Sequence, residues 1–363
     1  MEKATDRTAD ITGEAPAARV HPSKLFVELT TRCNLSCSMC VKQNGEGGIT
    51  EGSMSPGTFD ALAPAFPHLD GLVLNGIGES LLHPRLEEFI RQAKRLLPAK
   101  ASVGFQTNGM LLNDSRAVSL ADSGLDLICL SLDAASCEIF RSIRTGGEMS
   151  VVESAFSSLK KAGSAGTGST LRVGIEFVVM KDNLRELPAA IRWAARQGAT
   201  FALVTQLLPY QREMASRAAY DTNTAGAISI YKRWRDRALS EGVDISGYLE
   251  VYMKYSKTPR EQGIVGFVEQ MKNDAQSQGI ALHLERLLSR DEQWFTRIEE
   301  VFEEARETAE EEGLELTLPA TAPHNSRRCE FVEEGGAFVS WNGDVHPCYF
   351  LWHRYTCYVG GWE

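Results

Sequence analysis

With 363 residues, 43% of them apolar and 24% charged, the chain has room for one large domain and a smaller one around an ample core. A formal charge of −10 without a stripe of Lys and Arg argues against tight nucleic-acid binding by counterion release. Residues 1–22 read as a polar, disordered tail with no signal-peptide h-region, and no apolar run of about 18 residues offers a membrane span. The expected compartment is therefore the reducing cytoplasm, where clustered cysteines read as metal ligands rather than disulfides.

From Lys24 to about Tyr210, strand-like runs alternate with amphipathic stretches, the pattern of parallel α/β architecture. Six strands are predicted: Leu25–Leu29, Gly71–Asn75, Ala101–Gln106, Leu125–Leu132, Leu171–Val179 and Thr200–Leu207. Helices are expected near 57–66, 84–96, 113–123, 150–163 and 184–197, with Pro56 in a first turn and Asn183 as an N-cap. Each strand delivers polar or glycine-rich residues at its carboxyl end. In parallel barrels the chemistry gathers at that mouth, so the pattern fits a partial (β/α)6 TIM-like barrel over 23–212.

Beyond it, 213–312 reads as a helical bridge whose apolar stripe, from Trp294 to Ala309, is core packing and whose Glu-rich face is solvated. Residues 313–363 follow, with a strand at Leu314 to Leu318 and a two-residue hairpin turn expected at Asn342-Gly343.

Three cysteines carry the chemistry. Cys33, Cys37 and Cys40 form C-x3-C-x2-C directly after the first strand. Four-iron clusters usually take four thiolates, so three leave one iron open for a small molecule. Structural zinc is the alternative; it needs a fourth ligand, and the next histidine, His68, lies beyond the helix expected near 57–66.

The triad resembles the signature of the radical S-adenosylmethionine (SAM) superfamily, whose open iron chelates the amino and carboxylate groups of SAM. Met39 stands where that pattern usually has an aromatic residue, and a thioether suits the same gap against an adenine ring. Gly76-Ile77-Gly78-Glu79 resembles the glycine–glutamate motif that receives the SAM amino group. By the same resemblance Ser131 touches SAM, Arg144 pairs with its carboxylate (Arg141 being the competitor), and Thr107, Asn108 and Leu207 line the pocket. Cys129 and Cys137 read as structural filler.

In the tail, Cys329-x13-Gly343-x4-Cys348, with Cys357 as a third ligand, resembles the opening of a SPASM domain, an auxiliary-cluster module. Such modules continue with more cysteines, so this one reads as truncated. The resemblance implies a maturase of a peptide or protein, similar to metalloenzyme maturases that accompany tungsten or molybdenum oxidoreductases. Its cofactors would be a 4Fe–4S cluster, SAM and an auxiliary 4Fe–4S cluster, and its electrons would come from a flavodoxin or ferredoxin. A small-molecule radical SAM enzyme and a non-enzymatic iron–sulfur carrier or inactive fragment remain as alternatives.

Overall fold

In the computed structural model, residues 21–43, 49–164, 171–209, 212–323 and 329–348 are described. Six parallel strands run in chain order: β1 (Lys24–Val27), β2 (Gly71–Val73), β3 (Ser102–Thr107), β4 (Leu127–Ser131), β5 (Arg172–Val179) and β6 (Phe201–Gln206). Each expected strand is present with ends shifted by at most a few residues. The fold is the α/β partial barrel anticipated from the alternation.

Period-two patterning explains the two faces of this sheet. Leu25, Val27, Leu72, Val103, Phe105, Ile128, Leu130, Ile175 and Phe177 share the outer face, where they are buried under the helices as the main core. The opposite face carries Glu28, Asn75, Gln106, Ser131 and Glu176, or the positions just beyond each strand. Register aligns it: Gln106 lies beside Cys129, and Ser131 beside Glu176. A polar inner face cannot be packed dry without partners, so it marks where the fold is built to receive something.

Two further strands join the sheet at its edges. β7 (Glu315–Thr317) pairs parallel with β6, and β8 (Gly336–Val339) pairs parallel with β1. β9 (Val345–His346) then folds back antiparallel on β8. The tail strands thus extend the barrel sheet, covering edges that would otherwise be unpaired.

The helical stretch divides in two. Ala225–Ser240, Tyr248–Tyr252, Pro259–Ser277 and Leu284–Leu288 build their own small core around Tyr231, Val268 and Met271. The helix Glu292–Glu312 instead presses Ile298, Val301, Phe302 and Ala305 into the barrel core, as expected of that stripe, and ends at Gly313 with φ +68°.

Two local expectations need correction. The hairpin loop spans three residues, Trp341 to Gly343, because only Gly343 there is left-handed (φ +94°) and, among the described residues, no non-glycine residue has positive φ. A two-residue type I′ turn would require both central residues there. Instead Gly343 N–H donates to the Ser340 carbonyl at 2.9 Å and Asn342 Nδ2 to Asp344 at 2.9 Å. Asn183 does not cap its helix with its side chain. It is fully buried, donating to the carbonyls of Asp133 and Val178, both at 2.9 Å, and so ties the end of β5 to the end of β4.

Candidate functional site

The cysteine loop leaves β1 and is fixed to the segment after the helix Cys137–Ile143. Ser36 N–H donates to the Thr145 carbonyl at 3.0 Å, and Ser38 N–H to that of Ile143 at 2.8 Å. These two bonds bracket Arg144. Its Nε lies 2.7 Å from Asp133, which follows β4, and its Nη1 lies 4.0 Å from Cys37 Sγ. Asp133 is wholly buried and Arg144 nearly so. Breaking such a pair by removing one partner costs about 3–5 kcal/mol. Arg141, the competitor, is exposed and paired with Glu148 at 2.5 Å.

Cys33, Cys37 and Cys40 are each partly buried. Burial pushes all three thiols up, Cys37 to about 11, opposed by the charge of Arg144 at Cys37 and Cys40. Cys37 feels both of the other two and Cys40 feels Cys33, so the three share one electrostatic environment. Asn108 Nδ2 stands 3.9 Å from Cys33 Sγ and donates to Asn34 at 2.9 Å. Among the described residues, no three His, Cys, Asp or Glu side chains gather closely enough for a single metal ion. A cubane, which puts irons and sulfides between its thiolates, asks for wider spacing. Three half-buried thiols beside a buried cation fit such a group with one iron left over.

The glycine loop packs against the start of this arrangement. A Cβ on Gly78 would lie 2.0 Å from the Thr30 carbonyl oxygen and 2.7 Å from that of Arg32, so only glycine lets these backbones pass. Glu79, 3% exposed, turns inward. One oxygen accepts from Thr107 Oγ1 at 2.8 Å and Leu81 N–H at 3.0 Å; the other accepts from Asn108 N–H at 2.8 Å. Three of its sites are therefore taken up in joining the glycine loop to the end of β3. Of the three partly exposed positions before Glu79, two are glycines that offer only backbone.

Met39 and Leu207 come together: Met39 packs against Ile143, Met180 and Leu207, forming an apolar wall beside the cysteines. Ser131, 8% exposed, sits on the inner face beside Glu176. Cys129 is buried on that face, and Cys137 is exposed at the start of its helix. In the tail, Cys329 is exposed and Cys348 partly buried, on either side of the hairpin; Cys357 lies outside the described residues.

Two carboxyl groups escaped the sequence analysis. Glu176 is pushed up to about 7 by burial, against the opposing pull of Arg144. Glu28, fully buried, accepts from Ile77 N–H at 3.2 Å and from the backbone N–H of Trp341. It also fills the space over Gly76, where a Cβ would meet its Cγ at 2.4 Å. One side chain just beyond β1 thus holds both the glycine loop and the tail hairpin. The signal in each case was a glutamate at an inner-face position flanked on both sides by apolar residues, Val27 and Leu29 or Ile175 and Phe177.

Burial raises the Glu28 carboxyl from an ordinary 4.5 to about 7. The folded protein therefore keeps a proton that the unfolded chain gives up between those values. Its contribution to stability is whole below pH 4.5 and is lost as pH rises toward 7. Glu28→Gln, measured by urea unfolding from pH 4.5 to 7.5, should flatten that decline by up to about 3 kcal/mol. An unchanged slope would show that Glu28 titrates alike in both states.

The Radical SAM superfamily profile matches residues 27–194. The chain carries a radical SAM domain. Members of that family use a 4Fe–4S cluster and SAM. Over 345 residues the chain is 27% identical to the tungsten-containing aldehyde ferredoxin oxidoreductase cofactor-modifying protein of Pyrococcus furiosus, spanning 93% of this chain and 74% of that protein. The mycofactocin maturase of Mycobacterium tuberculosis is 29% identical over 192 residues, 53% of this chain and 46% of the maturase. Among solved structures, Streptococcus suis SuiB bound to S-adenosylmethionine aligns with a TM-score of 0.49 at 12% identity, covering 93% of this chain and 60% of that one. In this radical SAM domain the sequence match opens in β1 and closes in the helix Leu187–Gln197, so it takes in the cysteine loop, the glycine loop and Arg144. Among the described residues, no helix is long and apolar enough to cross a membrane.

Proposed function

We propose that this radical SAM enzyme is a maturase that abstracts a hydrogen atom from a peptide or protein substrate at the barrel mouth. The observation that carries the reading is the meeting of Cys37, Arg144 and Asp133 beside the Gly76–Glu79 loop at one end of the sheet. The likeness to the Pyrococcus cofactor-modifying protein, whose 345 aligned residues reach well beyond the barrel, supports a maturase. So does the likeness to mycofactocin maturase.

Cys33, Cys37 and Cys40 would hold the cluster, which would supply the one electron needed to cleave SAM to methionine and a 5′-deoxyadenosyl radical. The chain's own residues prepare that event. Arg144, held through Nε by Asp133, keeps its Nη groups for a carboxylate, the planar grip guanidinium is suited to. The backbone of the Gly76–Glu79 loop offers carbonyls to an ammonium, with Glu79 locking the loop onto Thr107 and Asn108. Met39, Met180 and Leu207 give an adenine ring an apolar wall and keep water from it. Because the thiols are pushed up by burial, loading iron must displace their protons, and Arg144 eases the charge that results.

In this reading the electron comes from a flavodoxin or ferredoxin in a reducing cytoplasm, and Cys329, Cys348 and Cys357 hold an auxiliary cluster in the tail. Protein reconstituted anaerobically with iron and sulfide, reduced and given SAM, should form 5′-deoxyadenosine, read by chromatography. Its absence in protein with a full iron complement would overturn the reading. Mass spectrometry of a peptide encoded beside the gene separates a peptide maturase, which shifts that mass, from an enzyme of small molecules.

A further inference from the structure

A second recess opens beside the apolar wall, where the loops after β5 and β6 meet the helical region. It holds about 260 Å³ and is lined by Lys181, Tyr220, Asp221, Arg286, Trp294 and Phe295, among others. None of these residues belongs to the cysteine site.

The charges in this cavity are not equivalent. Asp221 accepts from Arg290 Nε at 2.8 Å and from Asn223 N–H at 2.8 Å, and Asp291 N-caps its helix by accepting from Trp294 N–H at 3.0 Å. Arg290, 6% exposed, is committed to Asp221 and Glu292 and lies 4.1 Å over the Phe295 ring. These groups are wall. Lys181 and Arg286 differ, for among the described residues no carboxylate pairs with either. They come from two separate elements and face one recess, in a chain whose net charge is −10. The Tyr220 hydroxyl, within reach of the field of Arg286, adds a donor. Trp294 and Phe295 offer an apolar surface for a short aliphatic stem. Two free cations, a phenol and an aromatic face in a space of side-chain size suit a carboxylate on a methylene stem.

The cavity is also tied to the cysteine loop. Lys181 N–H donates to the Arg217 carbonyl at 2.9 Å. Arg217 pairs with Asp182 at 2.5 Å and donates to Ser38 Oγ, between Cys37 and Cys40, at 3.2 Å. Met180, one residue before Lys181, is part of the apolar wall. A group anchored at Lys181 would therefore hold the rest of its molecule across the barrel mouth.

We propose that this cavity is the recognition site for an acidic side chain of the polypeptide substrate, gripped by Lys181 and Arg286 above Trp294 and Phe295. The inference rests on the maturase reading and names the substrate feature it needs.

The test uses the full chain, reconstituted anaerobically, with fluorescein-labelled Ala-Glu-Ala-Glu-Ala and its Gln counterpart followed by fluorescence anisotropy. The Glu peptide should bind roughly tenfold tighter, as expected of charge-assisted hydrogen bonds. The double variant K181Q/R286Q should erase the difference while forming 5′-deoxyadenosine without substrate at the parental rate, which also reports that it is folded. Equal binding of the two peptides, no binding of either, or a preference that survives in the double variant would overturn the proposal. So would binding of inorganic phosphate at this site with no preference for the Glu peptide, which would assign it to a phosphorylated ligand. Failure of the maturase reading would appear elsewhere, in unshifted peptide mass.

Discussion

Cys37→Ala, reconstituted anaerobically, should lose the iron–sulfur absorption of the parent and at least about a thousandfold of its 5′-deoxyadenosine formation, since binding and chemistry both pass through this loop. The reason is local and electrostatic. Cys37 is the thiol nearest the Arg144 guanidinium, at 4.0 Å, and Arg144 is bound to Asp133 at 2.7 Å. In the proposed site, removing Cys37 takes away one of the three thiolates that would hold the cluster and leaves Arg144 facing a group that could not be held in register. Cys129→Ala is the fitting control. That thiol is buried in the barrel, pushed well up by its surroundings, and shares neither the loop nor the bond to Arg144. It should keep its cluster at a modest cost in stability. A Cys37→Ala protein with undiminished iron and SAM cleavage would remove the cysteine loop from the site.

Gly78→Ala should be nearly as damaging, by a different route. The added methyl would sit 2.0 Å from the Thr30 carbonyl oxygen, and that neighbour is backbone, which cannot swing away like a side chain. The loop must shift, and three contacts that depend on its position would shift with it: Glu79 N–H to the Arg32 carbonyl at 2.8 Å, and Glu79 to Thr107 and to Asn108, each at 2.8 Å. Misplacement by about 1 Å near reacting groups can cost roughly a hundredfold. The expected result is weaker SAM binding, by at least about tenfold in equilibrium dialysis, with iron content retained, because the cysteines sit on the other loop. Gly57→Ala is the contrast. Its Cβ would meet only the Ser55 hydroxyl at 3.9 Å, and the variant should bind SAM normally. If Gly78→Ala binds SAM as the parent does, the glycine loop is not part of the SAM site.

These two cases show why the cysteines and the glycine loop were legible and their supports were not. A C-x3-C-x2-C after a strand is a short-range pattern, and its meaning survives any packing. The resemblance has the Gly76–Glu79 motif receive an ammonium, and the structure commits three acceptor sites of the Glu79 carboxylate to Thr107, Asn108 and Leu81. That choice depends on where β3 ends relative to β2, which nothing within the four residues Gly76 to Glu79 encodes. Likewise Arg144 and Arg141 differ by three positions on one helix end. Only the docking of that end onto the cysteine loop turns one of them inward to Asp133 and leaves the other on Glu148.

What the sequence determined alone is what repeats or stays local: six strands by their period-two alternation, the helices between them, and the thiol spacing after β1. The tertiary structure decided the partnerships between residues far apart in the chain. It set β7 and β8 on opposite edges of the barrel sheet, Glu28 between Ile77 and Trp341, and Lys181 across a cavity from Arg286. The physical reason is that strand pairing and side-chain burial are settled together. A polar residue's role depends on which neighbour the register brings to it, and register is a property of the whole sheet.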